Sequence, residues 1–222
     1  MRIGILGSGL MGGKLGTILA KAGHDVVFSY ARSRRKLNRL ARQEGRRATA
    51  GTPREAAEGA DVLLLAVHWS RVNDVLKQAG DLSGKVLITC SLPMNASDTA
   101  LVIAHTSSGA EALAKKTKRA KVVAAFGTVP SEVLFDVFQA RRRTRRRPSL
   151  LYCNNDEAKS VVSQLIRHVG FEPVDAGPLR IARYLEPFTL AIAQLAYEGD
   201  EGPESSRTGL SGSANSVQIL RM

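Results

Sequence analysis

At 222 residues, with 44% hydrophobic and 23% charged side chains, the chain has the make-up of an ordinary soluble globular protein and can bury a real core, as one large domain or a domain with a small appendage. No apolar stretch approaches the roughly 20 residues of a membrane-spanning helix, and the sequence enters a strand pattern at once, which leaves no room for a signal peptide. The formal charge of +12 invites a polyanion as partner, yet no recognisable nucleic-acid motif or aromatic stacking surface accompanies it, so nucleic acid is not expected.

The chain opens with an apolar strand over residues 3–6 that runs straight into Gly7-Ser8-Gly9-Leu10-Met11-Gly12. A helix-period segment with Leu15, Ile18 and Leu19 follows, and a second strand over residues 26–28 begins after Gly23. This strand, glycine turn, helix and second strand form the context that a dinucleotide-binding fingerprint requires. Gly7 permits the tight turn, Gly9 lets the backbone approach a pyrophosphate, and Gly12 lets the helix pack close to the strand. Free N–H groups at the helix start, Leu10 and Met11 among them, then face the phosphates, where the helix dipole favours negative charge.

The end of the second strand selects between dinucleotides. NAD-preferring chains usually carry an acid there to hold the ribose 2′-hydroxyl. Here no acid occurs from Val26 through Gln43; instead Ser29, Tyr30, Arg32, Ser33, Arg34, Arg35 and Lys36 follow one another. Cationic forks and hydroxyl donors suit a 2′-phosphate, which an acid would repel. Arg32 with Ser33 is the expected pair, with Ser29 beside them, and at least two of Arg34, Arg35 and Lys36 form a solvated first helical turn. The expected cofactor is NADP.

Apolar runs and helical periods keep alternating, which predicts a mostly parallel sheet with crossover helices. Thr52 precedes a helix with Pro53 in its first position. Residues 62–67 are continuously apolar, as a central strand buried on both faces should be. Residues 86–89 and 121–126 repeat the theme. Helices open at Ser107-Ser108 and at Ser131-Glu132, and residues 150–152 form a late strand. Six arginines then stand out in residues 141–147; setting them aside leaves 26 basic against 20 acidic residues, a surplus of six. They read as a solvated, dispensable loop, with an acidic cofactor tail, another subunit or nucleic acid as the alternative contacts. Asn155-Asp156-Glu157 predicts the cap of an amphipathic helix through Val161, Val162, Leu165, Ile166 and Val169, closed by Gly170. Residues 181–197 predict a last helix that Pro187 kinks or interrupts. From Gly199 onward the chain is polar and aperiodic.

The predicted fold is α/β, a Rossmann-like doubly wound, mostly parallel sheet with a small C-terminal helical part. Residues 1–178 form the NADP-binding domain, 179–198 a helix packing on it, and 199–222 a polar, mobile tail. Cys90 and Cys153 are too few and too far apart for a disulfide framework or zinc site, and read as buried free thiols in a reducing cytoplasm.

Several segments together resemble the NADPH-dependent reductases of the 8-hydroxy-5-deazaflavin coenzyme and their NADP-binding relatives, over roughly residues 1–198. The resemblance lies in the opening Gly-Ser-Gly-Leu-Met-Gly, in Ala66-Val67-His68-Trp69, and in the segments over residues 105–111 and 125–130. Most specific is the block from Asn155 through Leu179. It implies a single Rossmann-like domain, a small C-terminal helical part and commonly a dimer. His68 stands where relatives often have proline, and a polar tail after Glu204 replaces a more apolar chain end.

Hydride transfer between a nicotinamide and a flavin-like ring needs stacked rings and exclusion of water, so positioning carries most of the catalysis. No Ser-His-Asp set, metal cluster or clear carboxylate pair is legible, and no catalytic residue is assigned. The expected wall around the rings is Met11, Val67, His68, Trp69, Leu92, Pro93 and residues 126–130, all at or near carboxyl ends of strands, with Ala66 beside Val67 among the expected cofactor-binding residues. For Met11 and Phe126 core packing is an equal reading, and for His68 a bland strand-end role; Trp69 is expected to stack or close the pocket. The expected function is an NADP-dependent oxidoreductase exchanging hydride with a deazaflavin- or flavin-type carrier, as a homodimer with no membrane contact. Two alternatives stand: an NADP-dependent reductase of a small C=N or C=O substrate, and a non-catalytic NADP(H)-binding or sensing protein. Pyrroline-carboxylate reductases and hydroxyacid dehydrogenases use a larger C-terminal helical domain, and ferric reductases with a related nucleotide domain append membrane helices.

Overall fold

Strands and helices alternate along the chain in a computed structural model that describes residues 1–155 and 158–197. In order they are β1 (Arg2–Leu6), α1 (Leu10–Lys21), β2 (Asp25–Ser29), α2 (Arg34–Gln43), β3 (Ala48–Ala50), α3 (Pro53–Ala57), β4 (Val62–Leu65) and α4 (Val72–Ala79). Then come β5 (Val86–Thr89), α5 (Gly109–Lys116), β6 (Lys121–Ala124), α6 (Leu134–Ala140), β7 (Ser149–Asn154), α7 (Lys159–Val169), β8 (Glu172–Asp175) and α8 (Ala182–Tyr197). The strands lie in the order β3-β2-β1-β4-β5-β6-β7-β8. Neighbours are parallel throughout except β6 and β7, which run antiparallel. The order reverses between β1 and β4, and at such a switch point a crevice opens outside the carboxyl ends of the strands.

Side-chain alternation sends successive residues of the central strands to opposite faces, and both faces are covered. Ile3, Ile5, Val62 and Leu64 pack with Leu15 and Ile18 of α1, Leu134 of α6 and Leu165 of α7. Leu6, Leu63 and Leu65 pack on the other side with Ala56 of α3, Val75 of α4 and Leu113 of α5. Every β4 residue is at most 2% exposed. Burying each such Leu or Val contributes about 1.5–3 kcal/mol, which is why β4 carries no polar residue.

Local chemistry sets several boundaries as expected. Thr52 and Glu55 form a reciprocal capping box ahead of α3, with Pro53 at its start. Ser108 caps α5 by accepting the Glu111 N–H, and Gly170 ends α7 in the left-handed region at φ 120°. Pro187 lies inside α8.

Other boundaries differ. β4 stops at Leu65 rather than at residue 67, and β6 at Ala124. β3 and β8 were not expected; β3 is three small residues, and Pro173 in β8 is tolerated because β8 is an edge strand. Asn155 does not cap α7: its side-chain oxygen accepts the Leu179 N–H at 3.1 Å, and Ala158 precedes α7 with no side-chain cap. Asp156, Glu157 and the polar tail over residues 199–222 lie outside the described residues. The arginine run is not uniformly solvated. Arg141 donates to the Phe138 carbonyl at the end of α6, and Arg147 reaches the Arg167 carbonyl in the last turn of α7.

Candidate functional site

The glycine turn is built where β1 runs into α1. Gly7 has φ +114°, and a β-carbon there would meet the Ala66 carbonyl at 2.4 Å. A β-carbon on Gly12 would lie 2.0 Å from the Gly7 carbonyl oxygen and 3.0 Å from the Ala66 β-carbon, which measures how closely α1 approaches. Gly9 is different: nothing lies within 4 Å of the position its β-carbon would take. That open face fits a pyrophosphate, which a side chain at Gly9 would exclude. No side chain caps the start of α1 and its first turn holds no acid. The N–H groups of Leu10, Met11 and Gly12 therefore form a positive helix end suited to an anion.

The turn is fastened to β2. The Gly7 N–H donates to the Ser29 carbonyl at 3.2 Å and the Ser8 N–H to the Tyr30 carbonyl at 3.1 Å. The Ser8 hydroxyl donates to the Ser29 carbonyl at 2.9 Å, so Ser8 shapes the turn rather than offering a side chain. Ser29 is likewise corrected: it is fully buried and its hydroxyl donates to the Ile5 carbonyl at 2.7 Å, which removes it as a ligand donor.

Beyond β2, Tyr30 takes a left-handed φ of 54° and its hydroxyl donates to Asp74 of α4 at 2.5 Å. Burial and that carboxylate push the Tyr30 phenol up to about 12. Arg32 and Ser33 follow on the surface. Ser33 caps α2 by accepting the Lys36 N–H at 3.4 Å. Arg34, Arg35 and Lys36 lie within the first helical turn, as expected, and no acid accompanies them. Cations at a helix N-terminus oppose the dipole by about 0.3–1 kcal/mol each, and an anion there would relieve both. Among the described residues, Arg32 has no carboxylate partner.

At the end of β4, the Ala66 N–H donates to the Leu6 carbonyl and the Val67 N–H to the Ser91 hydroxyl, at 3.0 and 3.2 Å. His68 pairs through Nδ1 with the Ser70 hydroxyl at 2.7 Å and through Nε2 with Asp98 at 2.9 Å. A hydrogen-bonded Ser70–His68–Asp98 chain thus exists where the sequence showed none. Asp98 is 64% exposed and belongs to the long connection between β5 and α5, so the chain acts as a clasp holding that connection to the end of β4. Trp69 is half-buried and packs on the cluster containing α3 and α4, so it supports the wall from behind. Met11 is partly buried against the opposite cluster, and Phe126, only 2% exposed, is core rather than ring contact.

Between the ends of β5 and β6 and the face of α8 lies a cavity of about 30 Å³, bordered by Ser91, Leu92, Gly127, Thr128, Glu186 and Thr189. Leu92, Gly127 and Thr128 were expected near the rings; Glu186 was missed. It is 6% exposed, and its two carboxyl oxygens accept the N–H groups of Gly109 and Ala110 at 2.7 and 3.0 Å. Burial pushes its carboxyl up to about 7, against the pull of those two donors, with Glu111 adding to the rise. Ala182, Glu186 and Thr189 share one buried stripe of α8. An acid on that i, i+4, i+7 stripe was the signal that could have found it. Among the described residues no group of three or more His, Cys, Asp or Glu could hold a metal ion.

Residues 2–93 match the family described as NADP oxidoreductase, coenzyme F420-dependent, the family that the sequence resembles. Metalloreductase STEAP3 of Rattus norvegicus is 31% identical over 197 residues, which is 86% of this chain but 37% of that protein. A candidate F420-dependent NADP reductase from Arthrobacter sp. superposes with a TM-score of 0.74 at 24% identity, over 86% of this chain and 91% of that one. A reductive aminase from Aspergillus terreus, in complex with NADPH, superposes with a TM-score of 0.65 at 17% identity, over 99% of this chain and 70% of the other. These two structures establish a shared Rossmann-like fold. No helix among the described residues is long and apolar enough to cross a membrane.

Proposed function

We propose that this chain, whose residues 2–93 carry the pattern of coenzyme F420-dependent NADP oxidoreductases, exchanges hydride between NADP(H) and a deazaflavin- or flavin-type carrier. The observation that carries the proposal is the open face at Gly9 on an uncapped helix, beside an acid-free, arginine-rich start to α2. The Leu10, Met11 and Gly12 N–H groups would hold the pyrophosphate, Arg32 and Ser33 the 2′-phosphate, and Ala66, Val67 and His68 would border the nicotinamide. Bound there, the reduced cofactor supplies two electrons and a proton together as hydride. The chain's own part is to align the reacting rings and exclude water, which the His68–Asp98 clasp serves by keeping the β5–α5 connection against β4.

We take residues 1–178 as the NADP-binding domain and α8 (Ala182–Tyr197) as its small helical partner, with a homodimer as the working assembly. A reducing cytoplasm is the proposed setting, supported by the free thiols of Cys90 and Cys153. A second proposal, reduction of a small C=N or C=O substrate, is favoured by the small cavity of about 30 Å³ beside Glu186.

Following NADPH absorbance separates these. Steady oxidation with a deazaflavin or flavin supports the carrier, oxidation with a small imine or carbonyl the second proposal. Tight NADPH binding without turnover on any of them would leave a binding or sensing protein.

A further inference from the structure

Among the described residues, Glu186 is the only carboxylate in a buried residue. Ser108 already caps α5, accepting the Glu111 N–H at 3.1 Å and donating to its carboxylate at 2.9 Å. Arg183 already ties α8 to α5 through two bonds to Glu111, at 2.7 and 2.8 Å. Glu186 adds a second, desolvated tether to the same two helices, and it borders a cavity rather than sealed core. Both of its carboxyl oxygens accept backbone N–H groups, so the buried acid is satisfied while its residue also borders the cavity.

The cavity points to a use for the acid. Beside Glu186 the cavity is bordered by the hydroxyl-bearing residues Thr128, Thr189, Thr89 and Ser91. The Ser91 hydroxyl in turn accepts the Val67 N–H at 3.2 Å, at the strand end proposed to border the nicotinamide. About 30 Å³ is room for one or two water-sized groups, or for the polar atom of a substrate.

We infer that Glu186 is the proton donor for the substrate atom that becomes electron-rich when its neighbouring carbon is reduced, so that the second substrate is one protonated on a nitrogen or oxygen next to, or conjugated with, the carbon that takes the hydride. This rests on the oxidoreductase proposal above. When the acceptor carbon takes a hydride from NADPH, a C–H bond forms and the electron pair of the acceptor's π system moves to that nitrogen or oxygen. The pair forms an N–H or O–H bond with the Glu186 proton as the carboxyl O–H bond breaks. The carboxylate is left on the Gly109 and Ala110 N–H groups until solvent returns a proton. The net change is one hydride and one proton added to the acceptor, with NADP+ formed.

The opposing forces on Glu186 suit this duty. Burial keeps the acid protonated, while two backbone donors at the start of α5 stabilise its anion, and the balance lies at about 7, where a general acid works best near neutral pH. Of the other groups around it, Glu111 and Arg183 are bonded to each other, and burial pushes the Cys90 and Cys153 thiols up to about 12. Glu186 is thus the group there that titrates near neutrality.

The test uses the full chain as wild type, Glu186→Gln and Glu186→Asp. Infrared titration from about pH 5 to 9 reads the carboxylic-acid carbonyl band without any turnover. One carboxyl titrating near neutrality in wild type and missing in Glu186→Gln is expected; no such band overturns the inference. Single-turnover NADPH oxidation is then followed against pH with a deazaflavin and, separately, a cyclic imine. Wild type should be flat at low pH and fall tenfold per unit above about 7, while Glu186→Gln should be pH-independent and roughly a hundred- to ten-thousandfold slower. Glu186→Asp should recover part of the rate and the pH dependence, and NADPH affinity should be the same in all three. A Glu186→Gln protein that keeps the wild-type rate and profile, or loses mainly NADPH affinity, overturns the donor role alone. No turnover of either acceptor by wild type overturns the oxidoreductase proposal and the donor role with it. Should Glu186→Gln fail to fold, a Glu186→Asp profile identical to wild type in rate and midpoint overturns the donor role.

Discussion

His24 and His168 share a hydrogen bond of 2.8 Å between Nε2 and Nδ1, joining the turn before β2 to the last turn of α7. His24 is 4% exposed and its Nδ1 has no partner among the described residues. Burial, helped by His168 and the chain's amino terminus and by Arg47 against the opposing Asp25, holds His24 down at about 4, and burial lowers His168 as well. The native pair is therefore neutral. A base whose folded value is depressed contributes fully above its unfolded value of about 6.5, and that stability is lost as pH falls toward 4. The gap corresponds to roughly 3 kcal/mol. Urea unfolding should show wild type weakening from pH 7 to 5, with His24→Leu weakening much less over the same interval. Parallel losses in the two proteins would mean that the pair does not titrate as described.

Gly9 should accept no side chain in the bound state and almost any in the free state. Its β-carbon position is empty to 4 Å, so Gly9→Val should fold and melt near wild type. The same carbon would stand where the pyrophosphate is proposed to lie, and NADPH binding should be abolished. Fluorescence titration of a folded Gly9→Val protein with unchanged affinity would remove the phosphate turn from the account.

The arginine run should divide in two. Arg142, Arg143, Arg145 and Arg146 are exposed, and changing all four to serine should leave the melting temperature nearly unchanged. Arg141 stacks 3.5 Å from the Phe138 ring centroid and donates to that residue's carbonyl, while Arg147 meets a carbonyl near the end of α7. Cations at helix C-termini and over aromatic faces each contribute about 0.5–1 kcal/mol, so Arg141→Ser with Arg147→Ser should lower stability by about that much per site. Equal melting shifts for the two sets would show that the run acts only through its total charge.

What was legible in the sequence is what local spacing determines. Gly7 and Gly12 shape their turn and Gly9 leaves its face open within six residues, and Thr52, Ser108 and Gly170 act within one helical turn, so residue type and position suffice. Ser29 shows the limit. Its hydroxyl is legible in the sequence but its direction is not, because a strand buried on both faces carries no polar alternation to mark which way a side chain points. The contacts that complete the site join distant segments: Tyr30 with Asp74, His68 with Asp98, and Glu186 with Gly109 are 44, 30 and 77 residues apart. Only the sheet order brings those segments together. Phe126 was ambiguous for a related reason, since an apolar residue at a strand end serves core and ligand equally well.

The central claim is that the surface after β2 holds a 2′-phosphate, and Arg32 is where it is tested most directly. A guanidinium gripping that phosphate makes charge-assisted bonds worth about 1.5–3 kcal/mol, so Arg32→Ala should weaken NADPH by roughly ten- to two-hundredfold. NADH lacks the phosphate, and its weaker affinity should hardly move. Paired NADPH and NADH titrations of wild type and Arg32→Ala, at one fixed salt concentration, therefore decide the matter. A selective loss for NADPH that narrows or abolishes the preference is the predicted result; equal losses for both cofactors, or none for either, would contradict it.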